Sequence, residues 1–185
     1  MTTAAIVLAA GGGTRFVADT HKLLAPLRGR AVVHWAVQHA VAAGLDQTFV
    51  VTGAADLTGV LPSGVTVVAN PRWAEGQSTS LRAGVAAADL AGHDVVVVGL
   101  GDQPLVSADA WRVVADADGD LVVATYDGVR SPPVRIAAAV WPLLPASGDA
   151  GARELMRRRP DLVREIACEG NPADVDTLED LHRWS

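Results

Sequence analysis

Short apolar runs alternate along this chain with stretches of helical periodicity. Residues 4–10 (AAIVLAA) are continuously apolar and end at Gly11, Gly12 and Gly13, the pattern of a parallel strand buried on both faces that runs into a tight loop. Similar runs at 48–52, 65–69, 94–99 and 120–125 predict four more strands. Between them the spacing predicts helices over 31–43, 78–90 and 107–117, the last opened by Ser107 as a plausible N-cap. Strand–helix–strand repetition implies right-handed crossovers and an α/β class, with a largely parallel sheet and helices on both faces.

After residue 125 the rhythm changes. A turn around Asp127 and Gly128, an interruption at Pro132 and Pro133, and an extended 134–137 predict a hairpin-like excursion that brings in an antiparallel strand and makes the sheet mixed. A helix over 151–159, an extended segment over 162–167 and a closing helix over 177–184 follow. No linker or internal repeat interrupts the 185 residues, half of them apolar, so a single domain over 1–185 is expected.

Charge and composition narrow the function classes. A net charge of −6 argues against a protein that coats nucleic acid. No apolar run reaches the roughly 18 residues needed to span a bilayer, and the N-terminus enters a strand pattern without a targeting signature, so no membrane partner and a cytoplasmic location are expected. Cys168 is the only cysteine, which excludes an intramolecular disulfide and a thiolate metal cluster and leaves a packing role. The five histidines (His21, His34, His39, His93 and His182) show no zinc spacing, and none is assigned a catalytic role.

The candidate chemistry begins at the first loop. In open α/β sheets, ligands settle at the carboxyl ends of the strands, where glycines bring several backbone N–H groups close to a phosphate. Three glycines alone serve a tight turn equally well. Here they are followed by Arg15 and by Lys22, the only lysine among fifteen cations. An Arg fork and a mobile ammonium together suit a triphosphate whose bonds change during reaction. A dinucleotide fingerprint needs a glycine where Phe16 stands, and a P-loop needs Gly-Lys-Ser/Thr, so neither matches. The run 94–100 (DVVVVGL) ends in Gly101-Asp102-Gln103-Pro104, which projects Asp102 from the same sheet edge if the strands are parallel. Asp174 and Asp176 alternate along an extended segment and share a face, with Thr177 a cap for the closing helix. Residues 76–81 (GQSTSL) lead into a helix whose N-terminus can meet a base or phosphate through Ser78 and Ser80, although Ser78 or Thr79 also suits an ordinary N-cap.

The stretch LAAGGGTRFVADTHKLL at 8–24 resembles the signature of the nucleotidyltransferase superfamily that includes the molybdenum cofactor cytidylyl- and guanylyltransferases, the MobA-like NTP transferases. GDQP at 101–104 is similar to that family's Gly-Asp-x-Pro, NPADVDTLEDL at 171–181 to its Asp-x-Asp-Thr-Pro-Glu-Asp-Leu, and NPRWAEGQSTSLRAG at 70–84 and GDAGAREL at 148–155 to the cytidylyl branch. The resemblance implies a three-layer α/β/α fold of the nucleotide-diphospho-sugar transferase type. It implies a nucleotide held by Leu8, Ala9, Ala10, Gly11, Gly12, Gly13, Thr14, Ser78, Ser80 and Gly101, with Arg15 and Lys22 on its phosphates. Asp102 and Asp176 would hold Mg²⁺, and Arg153 would contact the acceptor. The implied reaction moves a nucleoside monophosphate, CMP from CTP, to molybdopterin or another small phosphate-bearing acceptor, with pyrophosphate released; Arg15, Lys22 and Asp102 carry the catalysis. Transfer to a sugar phosphate, nucleotide binding without turnover, and an NAD-dependent oxidoreductase, opposed by Phe16, are the alternatives.

Overall fold

The structure is a computed structural model that describes every residue except 15 and 17–19. Its strands and helices follow in chain order: β1 (Thr3–Ala9), β2 (Pro26–Leu27), β3 (Arg30–Ala31), α1 (Val32–Ala42), β4 (Gln47–Thr52), β5 (Thr66–Ala69), α2 (Gln77–Leu90), β6 (Val95–Leu100), α3 (Ala108–Asp116), β7 (Leu121–Tyr126), β8 (Val129–Ala137), α4 (Ala152–Arg158), β9 (Val163–Ala167) and α5 (Leu178–Trp184). Seven strands form one sheet in the order β5-β4-β1-β6-β8-β7-β9, and β2 pairs with β3 in a minimal hairpin. All pairings in the large sheet are parallel except those of β8, which runs antiparallel to both β6 and β7. The mixed, mostly parallel sheet matches the expectation from sequence, and none of the described helices is long and apolar enough to cross a membrane.

The apolar runs lie in the middle of this sheet because both faces are covered. Side chains alternate across a strand. Ala4 and Ile6 of β1, Phe49 and Val51 of β4, Val96 and Val98 of β6, and Leu121 and Val123 of β7 share one core with Leu81, Val85 and Ala88 of α2 and with Trp141, Leu144 and Leu155. Ala5, Val7, Val50 and Val97 face the other way, onto Val33, Val37 and Ala40 of α1 and Ala110, Trp111 and Val114 of α3. The result is three layers. A smaller core of Phe16, Ala25, Leu27, Val32, Val175 and Leu181 clamps the C-terminal segment to the first hairpin.

Two expectations need correction. The run at 65–69 is not a strand buried on both faces: β5 is the sheet edge and three of its four residues are exposed, since an apolar run does not reveal how many neighbours a strand will have. Pro132 and Pro133 do not end the strand either. Val123 pairs with Val134 and Ala124 with Ser131, so the two prolines form an irregularity within β8, where they owe no ladder N–H. Both expected caps are present, with Ser107 accepting from the Ala110 N–H and Thr177 forming a capping box with Asp180.

Gly84 shows how closely α2 lies on the sheet: a Cβ there would come within 2.7 Å of Ile6 Cγ2 and 3.1 Å of Val51 Cγ2. Helix propensity alone favours Ala over Gly by about 1 kcal/mol, whereas overpacking costs about 1–3 kcal/mol. Gly84→Ala is therefore expected to lower the urea midpoint; a raised midpoint would contradict this packing.

Candidate active site

The site forms where β1 and β6 end side by side. Their parallel register sets Leu8 opposite Leu100, and the Gly101 N–H donates to the Leu8 carbonyl at 2.9 Å. The segments that follow, Gly11–Gly13 and Asp102, thus leave the same sheet edge. Packing is tight here: a Cβ at Gly101 would lie 3.0 Å from the Ala9 Cβ and one at Gly12 would lie 3.2 Å from the Trp73 ring. Gly13 has φ +61, in the left-handed region that glycine tolerates. Among the described residues none accepts a hydrogen bond from the N–H of Gly11, Gly12 or Gly13.

Lys22 opens a short 3₁₀ turn, Lys22–Leu24, anchored by buried Leu23. Its Nζ donates to Asp102 Oδ2 at 2.6 Å and to Asp176 Oδ1 at 2.8 Å, bringing together residues 80 and 154 positions apart. The three side chains retain only 13, 20 and 23 % of their exposure. Burial alone would lower the ammonium's pKa, but the charge of Asp102 and the hydrogen bonds with Asp102 and Asp176 outweigh it, so the pKa ends above its ordinary value.

Asp176 is placed by its neighbours. Val175 is fully buried in the small core, and its N–H donates to the Asp102 carbonyl at 2.8 Å. Buried Gln103 adds a second tie, its Nε2 donating to the Pro172 carbonyl at 2.9 Å and to Ser131 Oγ at 3.3 Å. Asp174 lies close enough to this group that burial, and then the charge of Asp102, raises its pKa. Two carboxylates thus hold one ammonium, with Asp174 close by.

The carboxylate oxygens of Asp102 and Asp176 are donors that suit a hard ion. Among the described residues there is no group of three or more His, Cys, Asp or Glu able to hold a metal by themselves. The arrangement fits Mg²⁺ or Mn²⁺, typically held by one or two carboxylates with phosphate oxygens and water supplying the rest.

A cleft of about 380 Å³ opens beside this group. Leu8, Ala9, Ala10, Gly11, Gly12, Gly13, Lys22, Ser80 and Asp102 line it, as do Trp73, Gln77 and Asp149, which sequence reasoning left out. Thr14 lines a smaller recess with Gly13, Lys22 and Asp176. Gly101 supports the cleft from behind through its contacts with Leu8 and Ala9. Ser78 departs from expectation. It is buried, its N–H donates to the Gly148 carbonyl at 2.9 Å and its Oγ accepts from the Gly151 N–H at 3.2 Å, so it holds the 148–151 loop rather than lining the cleft. The N-cap of α2 is Gly76, not Ser78 or Thr79. A Cβ on Gly76 would lie 2.5 Å from Gly148. Arg15 falls outside the described residues.

A second cavity of about 720 Å³ adjoins the first and shares Leu8, Gln77 and Leu100 with it. Leu81, Val98, Val123, Val134 and Met156 line it with apolar surface, and Arg153 reaches it together with two paired arginines, Arg130 on Glu165 and Arg157 on Glu154. The motif at 70–84 flagged Trp73 and Gln77 as a stretch without singling out the side chains.

A glycine loop facing a lysine and paired aspartates, at the carboxyl edge of a three-layer α/β sheet, defines the nucleotide-diphospho-sugar transferase-like class. The sequence matches the MobA-like NTP transferase domain over residues 5–163, and the chain belongs to that family. It is 34% identical to nicotine blue oxidoreductase of Paenarthrobacter nicotinovorans, over 96% of this chain and 94% of that one. It is 31% identical to purine catabolism protein PucB of Bacillus subtilis, over 95% and 92%. Its fold superposes on Rv0371c of Mycobacterium tuberculosis with a TM-score of 0.84 and 30% identity, covering 100% and 97% of the two chains. A complex of Rv0371c with manganese gives a TM-score of 0.77 and 29% identity, covering 100% and 98%.

Lys22→Met would remove the ammonium that bridges two partly buried carboxylates. In metal-free buffer this variant is expected to lose about 1–3 kcal/mol of stability by urea denaturation. An unchanged midpoint would show that the ammonium does not bridge the two acids in solution.

Proposed function

We propose that this chain transfers a nucleoside monophosphate, CMP from CTP, to a small phosphate-bearing acceptor, molybdopterin or its metal-loaded form, with release of pyrophosphate. The observation that carries the reading is Lys22 held between Asp102 and Asp176 at 2.6 and 2.8 Å, beside glycine amides that no described residue engages. Those amides would receive the triphosphate, and Lys22 would neutralise charge on the departing pyrophosphate. An oxygen of the acceptor phosphate forms the new bond to the α-phosphorus as the bond to pyrophosphate breaks, with no covalent enzyme intermediate. Positioning and charge neutralisation supply the catalysis. Asp102 and Asp176 would hold Mg²⁺, which when bound neutralises triphosphate charge and aligns it for in-line attack. The manganese complex of Rv0371c supports a divalent ion in this family.

The Leu8-Ala9-Ala10-Gly11 lead-in supports CTP, by resemblance to the cytidylyl branch. For the acceptor, the larger cavity suits a heterocycle with an anionic group: Leu, Val and Met supply much of its wall, and Arg153 reaches it. A sugar phosphate, with hydroxyls to satisfy, suits such walls less well. One observation favours a second reading, an oxidoreductase: a relative 34% identical carries that name.

Thermal shift with CTP, GTP, ATP and UTP in the presence of Mg²⁺, followed by pyrophosphate release with molybdopterin and with sugar phosphates, tests the proposal. A ligand at 100 times its dissociation constant stabilises by about 2.7 kcal/mol, so CTP is expected to give a clear shift. Asp102→Ala is expected to lower turnover by about 100-fold or more. Full activity in Asp102→Ala or without a divalent ion would contradict the mechanism, and oxidation of NADH or NADPH by a flat acceptor without pyrophosphate chemistry would favour the second reading.

A further inference from the structure

His21 contacts both parts of the phosphate site described above. Its Nδ1 lies 3.2 Å from the Leu23 nitrogen, and its Nε2 lies 3.0 Å from the Gly11 carbonyl oxygen. A backbone N–H can only donate and a carbonyl can only accept, so both contacts exist in one tautomer: Nδ1 bare and Nε2 protonated. The neutral ring therefore accepts from one segment and donates to the other.

Each bond has a geometric consequence. A peptide plane is rigid and trans, so drawing the Gly11 carbonyl toward His21 sends the Gly12 N–H the opposite way. The ring also packs against the next glycine, where a Cβ on Gly13 would come within 3.1 Å of Nε2. On the other side, His21 is the N-cap of the Lys22–Leu24 turn, and that cap sets the direction in which Lys22 leaves toward Asp102 and Asp176.

We propose that His21 is a positioning residue that couples the two halves of the phosphate site, orienting the glycine-loop amides through Nε2–H and Lys22 through Nδ1. It acts through Gly11 and Leu23 and contacts no reacting atom. The assignment rests on the nucleotidyltransferase reading and adds to it the device that holds amides and ammonium in register.

The two bonds can be separated, because Asn offers an acceptor about where Nδ1 lies and Gln a donor about where Nε2 lies. The affinity for CTP with Mg²⁺ is measured by calorimetry in the wild type and in His21→Ala, His21→Asn and His21→Gln, together with kcat using molybdopterin. Loss of the loop tie is expected to weaken CTP binding by about tenfold or more in the Ala and Asn variants, the range seen when supporting hydrogen bonds around a site are removed. His21→Gln keeps that tie and is expected to bind near wild-type affinity, with a lowered kcat because the cap is lost. Equal weakening in the Asn and Gln variants, or wild-type binding in all three, overturns the assignment while leaving the enzyme reading intact. A wild-type protein that binds no nucleoside triphosphate overturns the enzyme reading, and His21's role with it.

Discussion

An ammonium group between two carboxylates organises the functional edge of this molecule. Lys22, Asp102 and Asp176 come from the first loop, the middle strand and the C-terminal segment, and each arrives by a different physical route. Asp102 is delivered by the parallel register of β1 and β6, Lys22 by a capped turn anchored through Leu23, and Asp176 by Val175 in the small core. Partial burial makes the grouping costly unless its charges are matched, and removing Lys22 takes away a cation that both carboxylates share. Such an arrangement is weak evidence for stability. It agrees with the proposal that the site receives a ligand carrying both charge and cation.

Close backbone approach is the second constraint. Gly12 lies against Trp73, Gly101 against Ala9, and Gly76 against Gly148, so the backbone approaches its neighbours closely at three points around the cleft. The 148–151 loop docks on the first turn of α2 through Ser78, which places Asp149 at the smaller cavity and Arg153 at the larger. The two cavities share Leu8, Gln77 and Leu100. A nucleotide in one and an acceptor in the other would meet at the end of β1.

Much of the fold was legible because burial on both faces leaves a plain signature. β1, β4, β6 and β7 read as continuous apolar runs, and the helices α1, α2 and α3 fall within a residue or so of their expected bounds. β5 misled because Thr66–Ala69 is as apolar as an inner strand while lying at the edge. Within the site, Lys22 and Asp102 were visible from the glycine loop and the strand-end motif, whereas Asp176 was singled out by family resemblance, since 154 residues separate it from Lys22. Ser78 could not be told from a ligand-facing serine, because its partner, Gly151, is 73 residues away. His21 carried no spacing signal at all. Its place depends on which ring nitrogen faces Gly11, and only three-dimensional contacts reveal that.

The central claim is that glycine amides, the Lys22 ammonium and a cation on Asp102 and Asp176 meet on one triphosphate. The most direct measurement is a crystal structure with α,β-methylene CTP and Mn²⁺, in which anomalous scattering locates the metal independently of the nucleotide. Manganese is expected on Asp102 and Asp176, with phosphate oxygens on the Gly11–Gly13 amides and Lys22 within hydrogen-bonding distance of them. Phosphates bound elsewhere, or manganese away from both aspartates, would contradict the claim.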